Sequence, residues 1–117
     1  MAIYTKRFLS ASTNGLGIVV SATSSPGDTI HTAVDSLTVY DEVFIFAVNN
    51  DSVDRELVIE WGGTTSPDDI RPVTIKANEG LVLVIPGLLL QNSQVIKAYA
   101  AVTDVITIDG YVNRISD

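Results

Sequence analysis

Short apolar runs with a period of two, broken about every 8–12 residues by turn chemistry, constrain this chain more than any other feature. Residues 41–49 read Asp-Glu-Val-Phe-Ile-Phe-Ala-Val-Asn. As an extended strand they place Val43, Ile45 and Ala47 on one face and Phe44, Phe46 and Val48 on the other. A strand apolar on both faces is either covered twice or part of a contact surface. Residues 55–61 alternate as well, with Leu57, Ile59 and Trp61 expected inward and Glu56, Val58 and Glu60 outward. Between the runs stand Asn14-Gly15 with Gly17, Ser25-Pro26-Gly27-Asp28, Asn49-Asn50-Asp51-Ser52, the long loop 62–69, Asn78-Glu79-Gly80 and Pro86-Gly87. Glycine at positions 15, 17, 27 and 80 is expected in the left-handed region, and proline presets φ at the turns. Asn78-Glu79-Gly80 reads as a tight hairpin turn between strands 72–77 and 81–85.

Further strands are expected at 2–9, 18–23, 94–100 and 105–115. Residues 29–34 suit a strand or a short helix capped by Asp28. Val, Ile and Thr fill these runs, and branched side chains fit a pleated sheet better than a helix. The 117 residues match one domain with one core, without linker or repeat. The expectation is therefore a single all-β domain over residues 1–117. It should be a two-sheet antiparallel sandwich, jelly-roll-like, of eight or nine short strands, with helix near nil. Residues 1–9 are either an N-terminal arm or an edge strand.

Charge and residue usage remove several function classes. With 14 acidic and 7 basic side chains the net charge is −7, and only Lys6 and Arg7 among the basic residues are adjacent. Such a domain repels phosphates, so direct nucleic-acid binding is not expected. There is no cysteine, which excludes disulfides, thiolate catalysis and thiolate metal sites. The start of the chain has no apolar stretch behind Lys6 and Arg7, unlike a secretory signal. The longest apolar run, 81–90, is interrupted by Pro86-Gly87 and is half the length of a membrane span. A soluble protein made in a cytoplasm, with no membrane partner, is expected.

Catalytic and metal chemistry finds little support. His31 is the only histidine, no nucleophile-elbow sequence accompanies it, and it is expected to hydrogen-bond a neighbour or a partner subunit. The acids at 51, 54, 68 and 69 lack the spacing of a dedicated calcium loop and read as turn residues bonding nearby amides. Gly62-Gly63 lacks the lysine and the following helix of a phosphate-binding loop. No enzyme activity, cofactor or metal is expected.

Self-association is better supported. Leu88, Leu89 and Leu90 follow Pro86-Gly87 directly and are hard to place on a monomer's surface. With Phe44 and Phe46 they form one expected interface, and a closed ring such as a trimer would bury it without making filaments. A second expected contact is the N-terminal segment, where Lys6 and Arg7 stand beside Ile3, Tyr4 and Phe8.

Five segments carry a resemblance over most of the chain from about residue 27 onward. They are Thr29-Ile30-His31-Thr32-Ala33; Asp41-Glu42-Val43 with Ala47-Val48-Asn49; Glu60-Trp61-Gly62-Gly63-Thr64 with Pro67-Asp68-Asp69; Val84-Ile85-Pro86-Gly87; and Gly110-Tyr111-Val112-Asn113-Arg114. Together they resemble small virion-associated structural proteins of tailed bacteriophages, of the capsid decoration or cement kind. The resemblance implies a compact β domain on the capsid surface of the virion, often a homotrimer. Its partners would be the major capsid protein or other virion proteins, and no catalytic residues carry over. A head–tail connector, adaptor or tail component is the alternative within virions. A carbohydrate- or surface-binding module, with Trp61, Tyr99 and Tyr111 as a stacking platform, is the alternative from another class.

Overall fold

A computed structural model describes residues 2–117. Nine strands and no helix are found among them: β1 (Ile3–Phe8), β2 (Ile18–Val19), β3 (Asp28–Thr32), β4 (Tyr40–Asn49), β5 (Arg55–Trp61), β6 (Ile70–Ile75), β7 (Val82–Leu90), β8 (Val95–Ala100) and β9 (Ile106–Ser116). One sheet has the order β1-β9-β4-β7, with β2 continuing the line of β1 along β9. The other has the order β3-β8-β5-β6. Every pairing is antiparallel, and every connection from β2 onward except β5–β6 crosses between the sheets. That is the double Greek key of a jelly roll.

The core lies where the inner faces meet. Val43, Ile45 and Ala47 of β4 and Ile106, Ile108 and Val112 of β9 face Leu57 and Ile59 of β5 and Ile96, Ala98 and Ala100 of β8. Each such side chain contributes about 1.5–3 kcal/mol by leaving water. Trp61 packs against the same core, as its alternation requires. Phe44, Phe46 and Val48 face the other way and are only partly covered.

Several local expectations need correction. Residues 72–85 do not form a hairpin, because β6 belongs to one sheet and β7 to the other. Asn78 (φ 62°) and Gly80 (φ 80°) do turn left-handed, but the turn carries the chain across the sandwich. Periodicity shows that Ile75 and Ile85 point inward; it is blind to which sheet each comes from. Nor is Pro86-Gly87 a turn. Pro86 stands opposite Phe44, Leu88 opposite Val43, and Gly87 (φ 94°) is the extra residue of a bulge on β7. β7 is an edge strand, where a proline leaves no ladder bond unmade. Gly27 is not left-handed; it is glycine because a Cβ there would overlap the Ala98 backbone. Gly17 also lacks positive φ, whereas Asn14 and Gly15 have it. The second strand is short, only Ile18–Val19, and 29–34 is strand to Thr32 rather than helix.

Glu60 departs furthest from expectation. It points away from the core, as the alternation says, yet is fully buried. Ser25 Oγ donates to its Oε2 at 2.5 Å and the Gly27 N–H to its Oε1 at 2.7 Å. Asp28 in turn accepts the Ser21 and Ala22 amides at 2.7 and 2.9 Å, closing the 20–27 loop. The chain thus lays its own loop over the outer face of the β3-β8-β5-β6 sheet.

Candidate functional site

The outer face of the other sheet has no such cover. Pairing registers align Phe8 of β1, Tyr111 of β9, Phe44 of β4 and Pro86 of β7 in one row across the whole sheet. Residues directly opposite have their Cβ atoms about 4.5–5.5 Å apart, so the row is continuous. The Phe44 and Tyr111 rings stack with centroids 5.0 Å apart and planes at 19°, an arrangement worth about 0.5–1.5 kcal/mol beyond area. Lys6 Nζ lies 4.8 Å from the Tyr111 ring centre. The next row is Lys6, Asn113, Glu42 and Leu89, tied by Asn113 Nδ2 donating to Glu42 Oε1 at 3.1 Å. Beyond it stand Tyr4, Ile115 and Tyr40; on the other side Asp109, Phe46 and Leu83. Phe8 is 59% exposed, Leu89 55% and Tyr4 68%. Apolar and aromatic side chains held this openly make this face the candidate interaction surface.

Six of the residues expected at an interface therefore share one face: Tyr4, Lys6, Phe8, Phe44, Phe46 and Leu89. Ile3 and Arg7 occupy the alternate positions of β1, and all six β1 residues are exposed. Leu88 is exposed at the β7 edge. Leu90 stands opposite Asp41 and packs partly into the core, which is why three consecutive leucines do not form one patch.

A second cluster sits at the root of β1. His31 is buried and its Nδ1 accepts the Ser10 N–H at 2.9 Å. The ring proton is therefore on Nε2, which donates to Asp41 Oδ2 at 2.8 Å. Arg114 donates from Nε to Asp41 Oδ1 at 2.8 Å and from Nη2 to Oδ2 at 3.1 Å, and the Val34 N–H reaches Oδ2 at 3.2 Å. Burial pushes the Asp41 carboxyl up, but bonds from Arg114 and His31 outweigh it and hold the group below the ordinary carboxylate range. The names Ser10, His31 and Asp41 suggest a nucleophile, base and orienter, but the geometry is different. The imidazole nitrogen that would take a hydroxyl proton is occupied by a backbone amide, and the Ser10 hydroxyl accepts from the Thr32 N–H at 2.7 Å. The cluster pins the end of β1 to β3, as the bonded-neighbour reading of His31 expects. A cleft of about 770 Å³ opens beside it, lined by Arg7, Leu9, Thr32 and Arg114 among others.

The loop acids bond amides and one nearby cation. Asp51 accepts the Ser52 amide and pairs with Arg55 at 2.7 Å; Asp54 accepts from the Ala77 N–H and Asp69 from the Thr65 N–H. Among the described residues no three His, Asp or Glu side chains gather as a metal site. No described helix is long and apolar enough to cross a membrane. Trp61 and Tyr99 lie on one sheet and Tyr111 on the other, so the three-aromatic platform does not exist. Tyr111 and the Asp41–Arg114 pair were not singled out from the sequence as parts of these sites. The pair is 73 residues apart along the chain, and nothing short of the sheet register reveals it. A scan against protein-family models returns no match, and a search of curated proteins finds no significant similarity.

Proposed function

We propose that this domain is a structural protein of a tailed-phage virion, a capsid decoration or cement protein that stabilises the head by docking on its neighbours. The observation that carries the reading is the row Phe8–Tyr111–Phe44–Pro86, which crosses all four long strands of one sheet with Phe8 and Pro86 exposed and Tyr111 and Phe44 half-buried. The five resembling segments supply the virion context. The sheet is preformed, so docking orders little new chain and the apolar contact is not offset by a folding cost. One copy needs about 800 Å² per partner for a standard interface. Repetition around a closed ring, a trimer here, then raises the strength of the whole assembly.

Light scattering on the chain eluting from a sizing column tests this. The intact chain is expected at trimer mass, and the Phe8→Glu/Leu89→Glu variant at monomer mass with its far-ultraviolet spectrum unchanged. Six or twelve copies would move the reading to a head–tail connector. A monomer at every concentration would remove its self-association.

A further inference from the structure

A sandwich of this kind has four sheet edges, and three of them are blunted. β7 carries Pro86 and two register breaks against β4. β6 carries Pro72 in its middle. β3 has a bulge between Thr29 and His31, and its free edge is covered by residues 10–11: the Ala11 N–H bonds the Ile30 carbonyl and the Thr32 N–H bonds Ser10 Oγ. Proline, bulges and cover are the usual protections against unwanted strand pairing. β1 has no proline, bulge or cover, and of the usual protections it carries only charge, at Lys6 and Arg7. Its six residues pair with β9 in unbroken register from Ile3↔Ser116 to Phe8↔Tyr111, and among the described residues its other edge pairs with no strand. It is about 20 Å of open ladder.

Its charge is also singular. Lys6 and Arg7 are the only adjacent basic residues of a chain with net charge −7. Among the described residues no carboxylate lies within ion-pair distance of either. We infer that the free edge of β1 is a strand-addition site for an extended acidic segment of a different protein. The segment would continue the β1-β9-β4-β7 sheet by backbone hydrogen bonds, with its carboxylates against Lys6 and Arg7. A second copy fits poorly. Its other edges are blunted, and β1 against β1 would set Lys6 and Arg7 of both copies along one ladder, where like charges oppose pairing. The inference rests on the proposed function only in taking the domain to work by docking; it uses the sheet's edge, not its aromatic face.

The test is a titration of the isotope-labelled full chain with a capped octapeptide of threonines around two adjacent glutamates, which place one carboxylate on each face of the added strand, followed by backbone NMR and amide exchange. Saturable binding below about 1 mM is expected, with slowed exchange confined to residues 3–8. The Lys6→Glu/Arg7→Glu variant, with its remaining spectrum unchanged, should bind at least about tenfold more weakly. The inference is overturned by no saturation up to that concentration or by equal binding to the charge-reversed variant. It is equally overturned by binding of the lysine–threonine octapeptide or of oligothymidylate, and by concentration-dependent protection of the same amides without peptide. Failure of the decoration reading is distinguishable: Phe8→Glu/Leu89→Glu would then leave the mass of the chain unchanged while the acidic peptide still docks.

Discussion

The two sheets present their outer faces to water in opposite ways. On the β3-β8-β5-β6 side the chain folds its own 20–27 loop against the sheet, tethers it through Ser25 and Gly27 to Glu60, and buries Val58. On the β1-β9-β4-β7 side it lays down Phe8, Tyr111, Phe44 and Pro86 with no loop tethered over them, leaving Phe8 and Pro86 exposed and the stacked Tyr111 and Phe44 half-buried. The covered face buries the carboxylate of Glu60, while the other face leaves the ring of Phe8 in water, the reverse of what solvation alone would choose for those two side chains. A fold that closes one face with its own loop and spends its aromatics on the other has separated stability from contact. Changes on the covered side should alter the monomer, and changes on the bare side should alter its company.

The sharpest way to break that separation is to loosen the seam joining both sheets. Asp41→Ala leaves Arg114 without its carboxylate and His31 without its acceptor, and should cost about 3–5 kcal/mol in chemical denaturation. On the covered face, Glu60→Ala strands the Ser25 hydroxyl and the Gly27 amide and should cost about 1–3 kcal/mol. Assembled mass at protein concentrations above the unfolding range should not change. A Glu60→Ala variant that lost its oligomer while remaining folded would show that the covered face is also a contact.

Acid should act on the covered side and the seam first. Burial raises the Asp28 carboxyl, but amide bonds from Ala22 and Ser21 outweigh this and hold it below its ordinary value, as Arg114 and His31 do for Asp41. Groups depressed in the folded state stabilise fully above the unfolded carboxylate pKa, about 3.9, and lose that contribution as pH falls through the folded value. Melting followed from pH 6 to 2 should therefore be flat at first and then fall below about pH 4. Asp28→Asn should flatten part of that fall. The smallest effect on stability belongs to the bare face. Phe8→Glu should shift unfolding of the monomer by less than about 0.5 kcal/mol, while weakening the proposed association.

How far each region was legible in the sequence follows the same division. The outward positions of β4 are readable because alternation names the face of every residue, so Phe44 and Phe46 fall where the period puts them. By contrast, β1 shows no alternation, and only its register with β9 separates Tyr4, Lys6 and Phe8 from Ile3 and Arg7. Tyr111 sits in the same row only through the β4–β9 register, which links residues 67 apart in sequence (111 − 44) and has no local signal. Glu60 faces outward as the alternation says, yet it is fully buried. Alternation specifies direction, and only the path of the 20–27 loop decides whether water lies there. The apparent 72–85 hairpin failed for a related reason, since a left-handed turn at Asn78 and Gly80 serves a hairpin and a sheet-to-sheet crossing alike. His31 is expected to have a bonded neighbour without the neighbour's identity, because Asp41 meets it from β4 and Ser10 from the turn after β1.

Since the chain has no cysteine, one thiol can be placed on each outer face in turn. Maleimide labelling of Leu89→Cys and Glu56→Cys, compared between dilute and concentrated protein, tests directly whether the bare sheet is the side that meets neighbours. The thiol at position 89 should react more slowly by about an order of magnitude once the protein associates, as a contact that excludes water requires, while the one at position 56 keeps its rate. Equal rates at both positions across the whole concentration range, or protection at position 56 alone, would contradict the account.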